Sequence, residues 1–538
     1  MPENIVTESS GRSEPLGDDT SIQPPQQPGN YMARVKSRWS NPFSESHNDA
    51  DDKKISGGSG ENIERDLKKR RISNSDFDAI HQEVSSDFIS PAQLYSTESG
   101  RLFHAGQLCI ALCGLPARGK THLSVSLCRY LRWLGVKAKI FHLGDYRRSY
   151  CEKKNISQTF WNPLENLNER EEIVNECISD IASYFENDKG QVVIYDAINA
   201  LSKDRLDFHS LLTEKDVKVL FIESIVTDER LLHKNVSDAS KSPDYENWDP
   251  EKATENYISR IKIISPIYQE MNEPELTYIK FINFGENIVI NNDKFGFLVK
   301  KIVFFLMNSR IKSGSVFFAR CSNNKLKFKS DPPLDEKGSE YFKKLNKTLL
   351  DYISKSKGDN FYQNIPIKSA SKNEKQPPIG FDGQHENDFV VWTSTRLRTI
   401  QASQSFTKLG IKTRERTQLT QKNPGDVEGL TDEEIKEKYP EDYEKHQQDP
   451  YHHRYGRAES YHDLAVKIEP LILEMERMSG DILIIADETV IRVFYGYLMA
   501  CSCNEIPFLE FPQNEIVQIQ YNAYSNIAKR ITIEGVDP

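Results

Sequence analysis

Short unbroken apolar runs alternate with amphipathic stretches through the middle of the chain. Leu108-Cys-Ile-Ala-Leu-Cys113 has no polar side chain and predicts a strand buried on both faces. A glycine-rich turn follows, and from 121 to 134 the apolar positions recur at helical spacing. The runs at 139–143, at 191–195 (ending in Asp196) and at 217–224 predict further strands. Strands alternating with helices predict a doubly wound, mostly parallel α/β sheet over residues 96–310. The alternation resumes near Ser315, with strands expected at 316–319, 389–392 and 481–485 framing a helical middle. Residues 311–538 therefore read as a second α/β domain, into which a polar stretch at 355–388 inserts a long surface loop. Residues 1–95 are polar, with Pro24-Pro25, Gly57-Gly58 and acidic Asp49, Asp51 and Asp52, and read as a disordered regulatory segment.

Composition narrows the picture. A chain of 538 residues is too long for one hydrophobic core, and a hydrophobic fraction of 37 % fits two cores diluted by disordered tracts. The net charge of −10 excludes a broad nucleic-acid-binding surface. No apolar run of about 18 residues predicts a membrane span, and the N-terminus lacks the apolar centre of a signal peptide. Eight cysteines stand singly apart from Cys501-Ser-Cys503, which has no further His or Cys at zinc spacing. They read as reduced, buried thiols of a cytoplasmic protein. Lys68-Lys69-Arg70-Arg71-Ile72-Ser73 suits the acidic groove of a basophilic protein kinase, where a phosphate would add about two negative charges. A solvated basic run and a nuclear-import signal are the alternatives for it.

The sharpest chemical signal is Gly114-Leu115-Pro116-Ala117-Arg118-Gly119-Lys120-Thr121, which fits G-x-x-x-x-G-K-[ST] after an expected strand and before an expected helix. Glycines let the backbone wrap phosphate, and N–H groups at the helix start supply partial positive charge. Lys120 is expected to reach the β- and γ-phosphates of ATP, and Thr121 to hold Mg²⁺. Asp196, at the end of a later strand, suits a second magnesium contact or a helix cap.

With Gly144-Asp-Tyr-Arg147-Arg148, Asp196-Ala-Ile-Asn199, Ser242-Pro-Asp-Tyr245 and Tyr257-Ile-Ser-Arg260, this string resembles 6-phosphofructo-2-kinase. Val391-Trp-Thr-Ser394, Arg398-Thr-Ile-Gln401, Gly429 to Ile435 and Glu459-Ser-Tyr461 are similar to the bisphosphatase half of the same bifunctional family. The resemblance covers about residues 96–530. It implies a P-loop kinase domain followed by a phosphoglycerate-mutase-like phosphatase domain. It also implies transfer of the γ-phosphoryl group of ATP to the 2-hydroxyl of fructose 6-phosphate. Lys120 and Asp196 would be catalytic, Asn235 would join the P-loop in holding ATP, and Arg147, Arg148 and Arg260 would hold the sugar phosphate. Neither nucleic acid nor membrane is implied as a partner, and a homodimer is left open.

The sequence departs from that pattern on the acceptor side. Ile198 stands where the family has a sugar-contacting threonine, while Asp204 and Val174 stand where arginines are expected. A family lysine is displaced to Ala239 or Lys241. In the second half, the phosphoryl-accepting histidine of Arg-His-Gly is replaced in Arg320-Cys321-Ser322-Asn323. Asp487 stands at the second histidine and Gln421 at the carboxylate, while Arg320, Arg398 and Arg492 persist. Lys327, six residues after Cys321, breaks the Cys-x5-Arg loop that a cysteine phosphatase needs. The expectation is a kinase with a silent phosphatase half. A pseudoenzyme that binds ATP without making product is the alternative.

Overall fold

The computed structural model describes residues 78–82, 90–92, 106–155, 165–240, 242–245, 248–292, 296–310, 312, 314–321, 328, 330–357 and 389–537. The expected phosphorylation site at Ser73 and residues Lys241, Ser322, Asn323 and Lys327 lie outside them, as does the inserted loop from 358 to 388.

The first sheet begins with β1 (Leu108–Cys113), which leads through the phosphate loop into α1 (Lys120–Trp133). Then follow β2 (Ala138–His142), α2 (Leu143–Lys154), α3 (Leu167–Glu186), β3 (Val192–Asp196), α4 (Ser202–Thr213) and β4 (Lys218–Ile225). Helices α5 (Glu229–Ala239) and α6 (Pro250–Ile264) precede β5 (Tyr278–Ile282), β6 (Asn287–Asn291) and α7 (Phe297–Asn308). The strand order is β2-β3-β1-β4-β5-β6, parallel except for β6. The chain moves to one side of β1 and then crosses to the other, so the switch point lies at the carboxyl end of β1, where open α/β sheets bind ligands. Register aligns the neighbouring strand ends there, with Leu112 beside Asp196 and His142 beside Asp196.

The second sheet contains β7 (Ser315–Arg320), then, after α8 (Glu336–Lys357), β8 (Val390–Thr393), α9 (Leu397–Lys408) and β9 (Lys412–Glu415). Helices α10 (Asp432–Lys438), α11 (Pro440–Gln448) and α12 (Tyr461–Arg477) lead to β10 (Ile482–Ala486), α13 (Glu488–Leu498), β11 (Glu515–Gln520) and β12 (Ile527–Thr532). Its order is β12-β11-β7-β10-β8-β9, with β11 antiparallel to both neighbours. Two mostly parallel α/β sheets are thus as expected. Strands β9 and β12 escaped the apolar pattern because they are polar edges, and β6 because only three apolar residues stand between its asparagines. Helix α8 runs through Lys357, so the inserted loop starts later than the expected 355.

Helix α1 is buried along most of its length, including Leu123, Leu127, Tyr130 and Trp133. One face packs on the first sheet. The other meets the second half, where the Trp133 ring stands edge-on to Tyr497 at 5.5 Å. All eight cysteines are buried, and none is in a disulfide bond. Among the described residues no helix is long and apolar enough to cross a membrane. The expectation of disorder through residue 95 is corrected at 78–82 and 90–92. Ile80 and Ala92 are only 1 % and 4 % exposed, because each inserts into a core that α1 shares.

Below the site, the fully buried Arg205 on α4 donates to Glu273 from Nε (2.9 Å) and from a terminal nitrogen (2.6 Å). It also donates to the carbonyls of Asn199 and Gln269, both at 2.9 Å, fixing the chain just beyond Asp196. Arg205→Met would strand the Glu273 carboxylate and is expected to cost about 3–5 kcal/mol. A thermal scan should show earlier unfolding, and an unchanged midpoint would contradict the pairing.

Candidate functional site

The phosphate loop is shaped by residues that only glycine suits. Gly114 has φ +134°, and a Cβ there would lie 2.6 Å from the Ser224 carbonyl oxygen. Gly119 has φ +72°, and its Cβ would lie 2.4 Å from the Phe284 ring. Ala117, at φ 60°, is held by two side chains. Its N–H donates to the Tyr257 hydroxyl (3.0 Å), and its carbonyl accepts from Asn235 (2.9 Å). The Ser224 hydroxyl donates to the Arg118 carbonyl at 2.6 Å. Asn235 therefore supports the loop, which is one way to serve a nucleotide.

Lys120 curls into the loop and donates to the carbonyls of Gly114 and Leu115, both at 2.8 Å. Burial lowers its pKa to about 8, against the pull of Asp196. The Thr121 hydroxyl donates to Asp196 at 2.7 Å, and the same carboxylate oxygen accepts from His142 Nδ1 at 2.8 Å. Burial would raise the Asp196 pKa, but the His142 hydrogen bond and charge, then Lys120 and Thr121, outweigh it and lower it. Asp196 caps no helix, since Leu201 holds that position before α4.

A cavity of about 710 Å³ opens in front of the loop. Arg147 and Arg148 from α2 and Arg260 from α6 enter it and converge on one carboxylate, Asp244. The distances are 2.6 Å, 2.5 Å and 3.3 Å. Burial pushes Asp244 up, yet the three guanidinium charges hold it below the ordinary carboxylate range. Arg148 also pairs with Asp145. Val174, Ile198 and Asp204, the three positions expected to depart from the family pattern, line the same cavity, as does Ala239. So does the turn from Tyr521 to Tyr524, contributed by the second half.

The degenerate cleft of the second half has a different balance. Arg320 and Arg492 grip the two oxygens of Glu488 at 3.0 Å and 2.9 Å. Arg492 also donates to the Leu509 carbonyl (2.6 Å) and the Tyr461 hydroxyl (2.8 Å). Arg398 donates to Gln421 at 2.5 Å. Asp487 caps α13, accepting from the N–H and hydroxyl of Thr489 at 3.0 Å and 2.7 Å. Cys321 is buried at 3 % exposure, which does not suit an attacking thiolate. Arg320 and Arg492 therefore share one carboxylate, while Arg398 and Gln421 form a separate pair and Asp487 serves as a helix cap.

Sequence reasoning missed Asp244, Glu488, His142 and Tyr524. The signals were present: Asp244 lies within the quoted Ser-Pro-Asp-Tyr string, and Glu488 directly follows Asp487.

The sequence model of 6-phosphofructo-2-kinase matches residues 95–313, and that of the histidine phosphatase superfamily (branch 1) matches residues 383–534. Among curated relatives, the "Putative 6-phosphofructo-2-kinase/fructose-2,6-bisphosphatase YLR345W" of Saccharomyces cerevisiae is 40 % identical, over 99 % of this chain and 99 % of its own. The "Fructose-2,6-bisphosphatase" of the same yeast is 31 % identical over 79 % of this chain and 88 % of its own. The "6-phosphofructo-2-kinase/fructose-2,6-bisphosphatase 1" of Homo sapiens is 31 % identical over 77 % and 82 %.

If Glu488 is what fills the second cleft, Glu488→Gln should release Arg320 and Arg492. Calorimetric titration with inorganic phosphate is expected to show binding tightened about tenfold, which is ~1.4 kcal/mol. Unchanged affinity would mean that some other group neutralises the arginines.

Proposed function

The chain belongs to the 6-phosphofructo-2-kinase/fructose-2,6-bisphosphatase family, and we propose that its first domain transfers the γ-phosphoryl group of ATP to the 2-hydroxyl of fructose 6-phosphate while its second domain hydrolyses nothing. The observation that carries this reading is that one cavity holds both the loop bearing Lys120 and the Arg147, Arg148 and Arg260 cluster. Donor and acceptor phosphates would thus lie on facing walls. Phosphoryl transfer requires mainly positioning and charge neutralisation, which these groups are able to supply.

Lys120 would exchange the Gly114 and Leu115 carbonyls for phosphate oxygens. A polyanion beside it would hold its proton despite the burial that lowers its pKa. Three guanidinium groups around one carboxylate leave net positive charge, and arginine forks suit a sugar phosphate. Magnesium fits the donors present: the Thr121 hydroxyl and the Asp196 carboxylate are hard oxygen ligands, 2.7 Å apart at the loop. Held by Thr121 and Asp196, the ion would supply positive charge to offset that of the transferring phosphates.

We divide the chain into a regulatory segment (1–95), a kinase domain (96–310) and a silent phosphatase-fold domain (311–538). We place it in the cytoplasm, with Ser73 as the target of a basophilic protein kinase. Val289 and Ile290, exposed on edge strand β6, offer a pairing edge for a second copy in a homodimer. Silence of the second domain rests on Cys321, Gln421, Asp487 and Glu488 together.

A second reading, an ATP-binding pseudoenzyme, is favoured by Ile198, Val174 and Asp204 on the acceptor wall. Each lost charge-assisted contact weakens binding by about 1.5–3 kcal/mol.

One assay separates the readings. The purified chain with Mg-ATP and fructose 6-phosphate is expected to form acid-labile fructose 2,6-bisphosphate, and Lys120→Ala to lose about a hundredfold or more of that rate. ATP binding without product above the Lys120→Ala level would establish the second reading instead. Fructose 2,6-bisphosphate labelled at the 2-phosphate should release no label. Release that disappears in Cys321→Ser would restore the thiol as a nucleophile.

A further inference from the structure

Residues Asp78 to His81 are remote from the phosphate loop in sequence and close to its cavity in space. The Asp78 side chain is fully buried and pairs with Arg129 of α1 at 2.5 Å. The same oxygen accepts from the Asn526 N–H, at the end of the β11–β12 turn, at 2.8 Å. Its other oxygen accepts from the Ile80 N–H at 3.1 Å. The flanking backbone is tied in the same two directions. Arg132 of α1 donates to the Ile80 carbonyl at 2.8 Å, and the Ala79 N–H donates to the Met499 carbonyl at 3.0 Å. His81 Nε2 donates to the Tyr524 carbonyl at 2.5 Å. Asn526 is anchored in turn by its amide on the Leu498 carbonyl at 2.8 Å.

The turn held in this way is the one that enters the cavity. Tyr521 to Tyr524 line it, although they belong to the second half. The His142 ring has the rings of Tyr524 and His81 on it, each 5.5 Å away between centroids. His142 is the residue hydrogen-bonded to Asp196. A short path of contacts therefore runs from Asp78, through the turn, to the carboxylate beside Thr121. Two polar groups of that turn, the Tyr524 carbonyl and the Asn526 N–H, take their partners from the strut.

We propose that Asp78 and His81 are positioning residues: residues 78–81 form a strut that clamps the Tyr521–Tyr524 turn of the second domain against the first, as a wall of the nucleotide cavity. The inference rests on the nucleotide reading of that cavity. It gives the catalytically silent half a part in the kinase site. It also makes a segment outside both sequence-model matches a component of the functional unit.

Asp78→Ala would strand the buried Arg129 and lose stability for that reason alone. His81→Ala is the cleaner variant, because His81 is exposed and its contact with the Tyr524 carbonyl can be removed without emptying a core. The near-isosteric Asp78→Asn completes the set. In the full chain without nucleotide, amide hydrogen exchange over 521–526 is expected to rise in both variants; the melting midpoint should stay within about 2 °C of wild type in His81→Ala and fall in Asp78→Asn, which leaves the buried Arg129 without a counter-charge. Mg-ATP affinity should weaken about 5–10-fold. His81→Ala combined with Tyr524→Ala should bind no more weakly than Tyr524→Ala alone, since the strut acts on the cavity through the wall that the Tyr524 ring forms. Unchanged exchange at 521–526, or affinity within twofold of wild type despite faster exchange, would overturn the proposal. So would additive losses in the double variant. A wild-type chain that bound no Mg-ATP would instead remove the nucleotide reading. The exchange measurement would still decide whether the strut holds the turn.

Discussion

A guanidinium group taken out of water needs a counter-charge, and how many arginines share each carboxylate governs what either cleft of this protein is able to bind. In the first cleft Arg147, Arg148 and Arg260 share Asp244 and Arg148 also pairs with Asp145, three positive charges to two negative. The cluster keeps net positive charge beside a cavity of about 710 Å³. In the second cleft Arg320 and Arg492 share Glu488, and Asp487 stands beside it at the start of α13. There Glu488 occupies both Arg320 and Arg492, while Arg398 donates to the uncharged Gln421. Under the proposed reading, the same residue types would form an anion site in one place and a largely structural node in the other.

Even under the proposed silence of its second domain, the protein depends on that domain, because α1 belongs to both halves. Its N-terminus closes the phosphate loop, and its opposite face is buried against the second half, with Tyr130 and Trp133 in separate cores. Lys312 and Glu476 reinforce the same seam. They lie 3.5 Å apart, both almost fully buried, and the lysine also donates to the Met478 carbonyl at 2.9 Å. Burial lowers the Lys312 pKa to about 8 against the attraction of Glu476. Stripping the second domain away would expose the back of α1. Such a constraint would preserve the second fold whether or not it is catalytic.

What could be read from sequence follows from where each signal is stored. Runs such as Leu108–Cys113 and Ile482–Ala486 are buried on both faces, so every residue reports the strand. The phosphate loop was legible because its glycines are demanded by backbone geometry, at φ +134° and +72°, rather than by a partner elsewhere. The polar edges β9 and β12 carry no such signature. Asp244 and Glu488 were visible as letters but not as functions, since a carboxylate's role depends on which arginines the fold brings to it. The strut was the least legible feature: Asp78 meets Arg129, 51 positions away, and Asn526, 448 positions away. No local pattern encodes a contact of that range.

The distribution of departures between the two sides of the first cavity has a physical cause. The nucleotide side is made largely of backbone, and its lysine and threonine act from a helix start that the glycines define. The acceptor side is made of side chains projecting from elements that are stable without them. Position 198 shows the separation within one residue. Its carbonyl accepts from the Gly114 N–H at 3.1 Å and so braces the phosphate loop, whichever side chain it carries. The residue also lines the cavity, at a position where the family resemblance predicts threonine. Neighbouring Asn199, at φ 47°, donates to the Leu112 carbonyl at 2.7 Å and fixes the same backbone. A substitution at 198 would therefore change the proposed acceptor wall without loosening the loop. The same independence holds for Val174 on α3 and Asp204 on α4, whose helices are anchored by residues such as Ile181 and Arg205. Changes on that wall meet little resistance from folding, and changes in the loop meet a great deal. The proposed nucleotide site beside an altered acceptor wall is the arrangement that this asymmetry would produce.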